Sequence, residues 1–159
     1  MTDRSLLPST ATPSPGQHPV PAIDWRAVAA AGLFAACSTV GAVISLRQNI
    51  PGQPLGIRAP GTVARHLAIG WGSALSAPAP MQAAALVAAF CARPGLSWPA
   101  RTLTGIGVAA FAGILAEPVV WRRDAHSRVV TAMLPLELAS AAALIWAGRT
   151  RRGSLTPGR

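Results

Sequence analysis

"ILAEPVVWRRDAHSRVVTAMLPLELAS", residues 114–140, is the end of one apolar run, a short charged turn and the start of another apolar run. The runs extend to residues 101–121 on one side and 128–148 on the other, so each holds about 20 residues, the number needed at about 1.5 Å per residue to cross a hydrocarbon core of roughly 30 Å. Strands of a membrane barrel need only about 9–11 residues and alternate polar with apolar, which these runs do not do. A soluble helix of this length carries a polar stripe, and neither run has one. The stretch therefore reads as a membrane hairpin turning at "RRDAHSR", residues 122–128.

Two more apolar runs precede it, at 25–46 and 64–92. The chain is 51% hydrophobic and only 12% charged over 159 residues, too apolar for an ordinary soluble domain. The expected fold is all-α: an integral membrane protein with four transmembrane helices in an up-down bundle. Residues 1–24 contain Pro8, Pro13, Pro15, Pro19 and Pro21 among Ser, Thr, Gly and Gln, and cannot bury enough surface to offset their ordering entropy. They read as a disordered tail. Residues 25–148 form the membrane domain and 149–159 a basic C-terminal tail.

Tryptophans mark the same boundaries. Trp25, Trp71, Trp98, Trp121 and Trp146 all fall near run ends, where an indole sits between hydrocarbon and headgroups. Arginines bracket the runs and can snorkel outward. All 14 basic residues are Arg, and the net charge is +9. Because this charge is spread over every connection instead of forming one patch, it speaks for membrane flanks and against nucleic-acid binding. Arg in place of Lys, with abundant Ala, Gly and Pro, suits a GC-rich bacterial genome and hence a bacterial inner membrane. With four spans both termini share a side. Near the membrane that side carries Arg26, Arg93, Arg101, Arg149, Arg151, Arg152 and Arg159, against Arg47, Arg58, Arg65, Arg122, Arg123 and Arg128 opposite, a margin of one that favours cytoplasmic termini.

"LFAAC" at 33–37 has the look of a lipoprotein cleavage site, but Phe34 stands where Leu, Val or Ile is expected and the apolar run continues past Cys37. An uncleaved first helix is the better reading. Cys37 and Cys91 have no metal-ligand or redox spacing and read as packing residues. Small residues recur every fourth position at Cys37, Gly41 and Ser45, and again at Gly105, Ala109 and Gly113, which predicts that these two faces turn inward.

Glu117 and Glu137 are the unusual residues. A charge at the bilayer centre costs roughly 2.5–3.5 kcal/mol on insertion scales, so each acid should face the bundle, find a donor or be protonated. Gly113 and Ala110 should share the face of Glu117, while Ser140 and Ala141 stand beside Glu137. Arg65 and His66 begin the second run on the same side. Pro118 and Pro135 should free the carbonyls of Ile114 and Thr131, and Pro78 and Pro80 those of Ala74 and Ser76. Open carbonyls beside an acid are what discontinuous transport helices use for cations. The plainer expectation pairs Glu117 with Arg122 or Arg123 and gives Glu137 one interhelical hydrogen bond.

No nucleophile–base pair, phosphate-binding glycine loop or HExxH motif is present, and nothing in the sequence calls for a cofactor or a metal. Two functions fit. One is a small carrier or ligand-binding bundle with a protonatable site at Glu137, with Glu117, His66 and Arg65 around it. The other is a non-catalytic accessory or assembly subunit whose small-residue faces bind a second copy or another membrane protein. An intramembrane enzyme acting on lipid has only the Glu and His residues in its favour.

Overall fold

The computed structural model describes residues 23–57, 60–69, 72–73, 75–118 and 127–154. Five helices are present among them: α1 (Trp25–Gln48), α2 (Val63–Ile69), α3 (Ala79–Phe90), α4 (Trp98–Ala116) and α5 (Ser127–Ser154). Three stretches, Trp25–Gln48, Trp98–Ala116 and Thr131–Thr150, are long and apolar enough to cross a membrane.

Helix ends follow from local chemistry. Asp24, assigned to the tail by composition, caps α1: its carboxylate accepts the N–H groups of Arg26 at 3.1 Å and Ala27 at 3.3 Å. These donors have no partner inside the helix, and such a cap contributes about 1 kcal/mol. Residues 1–22 of the expected tail lie outside the described residues. At the far end Asn49 adopts the left-handed conformation, φ 50°, and returns its N–H to the Ser45 carbonyl. Helix α4 stops at Ala116 because Pro118 disfavours helical geometry in the residue before it, and Glu117 is extended at ψ 122°. The Ile114 carbonyl is therefore not free; it accepts the Glu117 N–H at 3.2 Å. Helix α5 does run through Pro135 and continues to Ser154, so part of the expected basic tail is helical.

The run at 64–92 is not one helix. After α2 the chain turns through Gly72, φ 78°, whose N–H caps the His66 carbonyl at 3.0 Å. Pro78 and Pro80 then open α3 instead of interrupting it, Pro78 as the residue before the helix and Pro80 in its first turn. A proline costs little there, since its missing N–H has no helical partner anyway. Helix α3 has 12 residues, about 18 Å of length at 1.5 Å per residue, which is well short of a bilayer core.

The helices form a ring in which α1 packs on α3 and α5, α3 on α4, and α4 most extensively on α5. One apolar core joins Ala27, Ala31 and Phe34 at the start of α1 to Ala85, Ala88 and Ala89 of α3, Leu103 near the start of α4, and Leu144 near the end of α5. Helices α1 and α4 thus run in the same direction and α5 runs antiparallel to both, and the first turn of α1 lies beside the last turns of α5, where the Arg26 guanidinium sits 5.9 Å from the Trp146 ring centre. A smaller apolar cluster of Ile50, Leu75 and Met133, backed by Ile44, closes the other end.

The close helix approaches are only partly those expected from spacing. Cys37, Gly41 and Ser45 are buried, as expected. Gly105, Ala109 and Gly113 face outward, and nothing lies within 4 Å of the position a Cβ would take on either glycine. The residue that admits α5 is Gly107, two positions on and hence on the opposite side of the helix: a Cβ there would lie 2.7 Å from the Ala141 carbonyl oxygen. Gly148 answers it from α5, against Ala100 and Thr104.

Candidate functional site

The described residues between α2 and α3, 72–73 and 75–78, are non-helical backbone folded into the bundle. Ser73, Leu75 and Ser76 are each less than one-tenth exposed. Irregular backbone at such a place must satisfy its polar groups internally. Most of them do. The Ser73 N–H donates to the Ser76 carbonyl at 3.0 Å and the Ser76 N–H returns to Ser73 at 3.3 Å. The Ala77 carbonyl accepts from the Ser76 hydroxyl at 2.9 Å and the Gln82 amide at 2.8 Å. The Ser73 hydroxyl donates to that of Ser45 on α1 at 3.0 Å. Among the described residues no donor is bonded to the Leu75 carbonyl.

That carbonyl lies against Gly41. A Cβ on Gly41 would overlap the Leu75 carbonyl oxygen, would come within 2.7 Å of its carbon, and would stand 3.1 Å from Glu137 Oε1. The break in the second run, the middle of α1 and the acid of α5 therefore converge where α1 offers no side chain. Glu137 is 4% exposed, and its Oε1 has no hydrogen-bond partner among the described residues. The Ser140 hydroxyl does not serve it, being donated at 2.9 Å to the backbone carbonyl of Glu137 itself. The Cys37 thiol lies within electrostatic reach of the carboxyl, and Ser38, fully buried on the same helix, also leaves its hydroxyl oxygen without a partner among the described residues.

Helix α1 explains how this polar layer is built. Its buried face is Ala27, Ala30, Ala31 and Phe34 over the first half and Cys37, Ser38, Gly41 and Ser45 over the second. The i, i+3, i+4 spacing keeps them on one side, so the same stripe supplies apolar packing and then small polar groups. The polar layer is held between the large apolar core and the cluster of Ile50, Leu75 and Met133.

The other expected site residues have different surroundings. Glu117 is 6% exposed, just past the end of α4, and both carboxyl oxygens accept the Gln53 N–H, Oε1 at 3.1 Å and Oε2 at 3.0 Å. This contact ties the connection after α1 to the end of α4. Burial raises the Glu117 pKa above the ordinary carboxyl value, and the Gln53 N–H opposes that rise. The expected face with Gly113 is not formed, because Glu117 has left the helix and Gly113 points outward. Arg122 and Arg123 lie outside the described residues. His66 is buried with Nε2 3.3 Å from the Pro60 carbonyl oxygen and Nδ1 unpartnered among the described residues, whereas Arg65 is exposed. No hydrogen bond or ion pair among the described residues joins Glu137, Glu117, His66 and Arg65 to one another. No group of three or more His, Cys, Asp or Glu suited to a metal occurs among them either.

Trp25, Trp98 and Trp146 are 69%, 43% and 54% exposed, at the start of α1, the start of α4 and near the end of α5. The antiparallel packing gathers these three at one end of the bundle. Trp71 and Trp121 lie outside the described residues.

Sequence reasoning found Glu137 but missed Gly41 and Leu75 as its surroundings. Gly41 carried a signal, the small-residue spacing; a backbone carbonyl carries none. No family model matches the chain, and no curated protein and no solved structure matches it.

Proposed function

We propose that the protein is a small multi-pass membrane carrier or ligand-binding bundle whose working group is the protonatable carboxyl of Glu137. The observation that carries this reading is the unpartnered Oε1 of a 4% exposed glutamate set beside the backbone break between α2 and α3. An acid in an apolar bundle is retained at a cost of a few kcal/mol, and a position next to unwound backbone is where transported ions are handled in discontinuous membrane helices. In this reading α1, α4 and α5 each cross the bilayer, and α2 with α3 makes a broken fourth crossing. The membrane is a bacterial inner membrane, with cytoplasmic termini and with Trp25, Trp98 and Trp146 anchoring that side. Glu117, His66 and Arg65 belong to the connecting layer over Glu137 and do not form the binding site itself.

The test is a flux assay in lipid vesicles containing the purified chain and an entrapped pH-sensitive dye. A gradient of Na⁺, K⁺ or an organic ammonium ion is imposed. Wild type should couple one of these gradients to proton movement, and Glu137→Gln, which keeps shape and hydrogen-bonding capacity, should abolish the coupling. Unchanged flux in Glu137→Gln removes the residue from the mechanism.

A second reading, the accessory or assembly subunit, is favoured by one observation: the outward stripe of Gly105, Ala109 and Gly113 on α4. Small residues let a neighbouring membrane helix approach closely. No flux with any of the three gradients, together with loss of an associated subunit in Gly105→Leu, favours this reading.

A further inference from the structure

We infer that the Leu75 carbonyl oxygen and Glu137 Oε1, which meet beside Gly41, are ligands of a binding site for a dehydrated monovalent alkali cation of the Na⁺ class. The inference rests on the carrier reading of Glu137 and names what the carrier would hold. The groups that meet there are hard oxygen donors: the Leu75 carbonyl and Oε1 of Glu137, neither with a hydrogen-bond donor among the described residues. Oxygen donors of this kind select alkali and alkaline-earth ions over zinc or copper. The charge then selects among those. Among the described residues one carboxylate stands beside Gly41 and no group of three acidic, His or Cys ligands exists, whereas Ca²⁺ takes 6–8 oxygens, typically from several carboxylates. One positive charge neutralises one carboxylate.

Both oxygens border the same point on Gly41, Oε1 at 3.1 Å and the Leu75 oxygen closer still, so they lie near enough together for one ion to contact both. The Ser38 hydroxyl, without a partner among the described residues, lies on the same buried face of α1 about one turn from Gly41 and supplies a further oxygen on that face. The Ser45–Ser73 hydroxyl pair, about one turn from Gly41 in the other direction, places polar groups between the site and the connections. An ion here competes with a proton for Glu137, which would link cation movement to proton movement.

The experiment uses the full chain purified in detergent. Thermal unfolding is followed in NaCl, LiCl, KCl and choline chloride at equal ionic strength over a range of pH, beside binding of radioactive Na⁺. Wild type should be stabilised saturably by Na⁺ and Li⁺ and not by choline. The half-saturating concentration should rise about tenfold for each pH unit below the range in which the carboxyl ionises. Glu137→Gln should lose both the stabilisation and its pH dependence, Ser38→Ala should weaken binding several-fold, and Glu117→Gln should retain it. If Glu137→Gln does not fold, proton competition against radioactive Na⁺ on the wild type decides. Unfolding in NaCl equal to that in choline chloride at every pH, with no bound radioactive Na⁺, overturns the cation site. Flux that depends on Glu137 would survive that result and mean that the acid carries protons alone.

Discussion

Replacing Gly41 by Ala adds a single methyl group at the point where three segments meet. That methyl would overlap the Leu75 carbonyl oxygen, lie 2.7 Å from the carbonyl carbon and stand 3.1 Å from Glu137 Oε1. The first two atoms are backbone, so they cannot swing aside as the tip of a long side chain does. The turn that carries Leu75 must shift, or α1 must move away from it. Overpacking a tight site costs about 1–3 kcal/mol. Ala also improves helix propensity over Gly by up to about 1 kcal/mol, which offsets part of that loss. The net expectation is a destabilisation of about 1–2 kcal/mol. Gly105→Ala is the internal control, because the same propensity gain applies and nothing lies within 4 Å of the new methyl. It should be neutral or stabilising. Unfolding in mixed detergent micelles, followed by helical circular dichroism, measures both variants. Gly41→Ala as stable as Gly105→Ala would refute the close approach of Leu75 and Glu137 to α1.

Three further outcomes are expected. Because the Glu117 pKa is raised, the neutral acid is the form favoured in the folded state. Its contribution is full below the ordinary carboxyl value of about 4.3 and is lost as pH rises through the raised value, so a pH series of unfolding midpoints should slope less in Glu117→Gln over that window. Gly107→Leu should weaken α4–α5 packing by more than Gly113→Leu does in the same unfolding assay, since only Gly107 faces Ala141 and Ile145. In a cysteine-free background, single cysteines at Gln53 and Ser154 should differ when intact cells are treated with an impermeant thiol reagent. Labelling of both would end an even number of crossings.

The long helices were legible because apolar runs of about 20 residues have few other fates, and α1, α4 and α5 fall where those runs lie. The break inside 64–92 had its signals, with Gly70 and Gly72 before it and Pro78 and Pro80 after it. Continuous hydrophobicity masks such signals, since periodicity cannot separate one buried helix from two with a turn between them. Two prolines two residues apart suit a helix start better than a helix interior, and that pattern could have placed Ala79. Pro118 similarly implied an extended Glu117. The inward side of α4 was misjudged because an Ala- and Gly-rich helix offers several small-residue rows, and only the partner, here Ala141 and Ile145, distinguishes Gly107 from Gly105. Glu137 was recognisable as an acid among apolar neighbours. That it would face a backbone carbonyl depends on how the α2–α3 turn folds back on α1, and no residue type encodes that.

The most direct measurement is an infrared difference spectrum of the protein in lipid between acidic and alkaline buffer, on the wild type and on Glu137→Gln and Glu117→Gln. The account predicts a protonated-carboxyl band that disappears in alkaline buffer, is missing from Glu137→Gln and is kept in Glu117→Gln. A carboxyl difference band identical in the wild type and Glu137→Gln would show that Glu137 does not exchange a proton and would contradict the account.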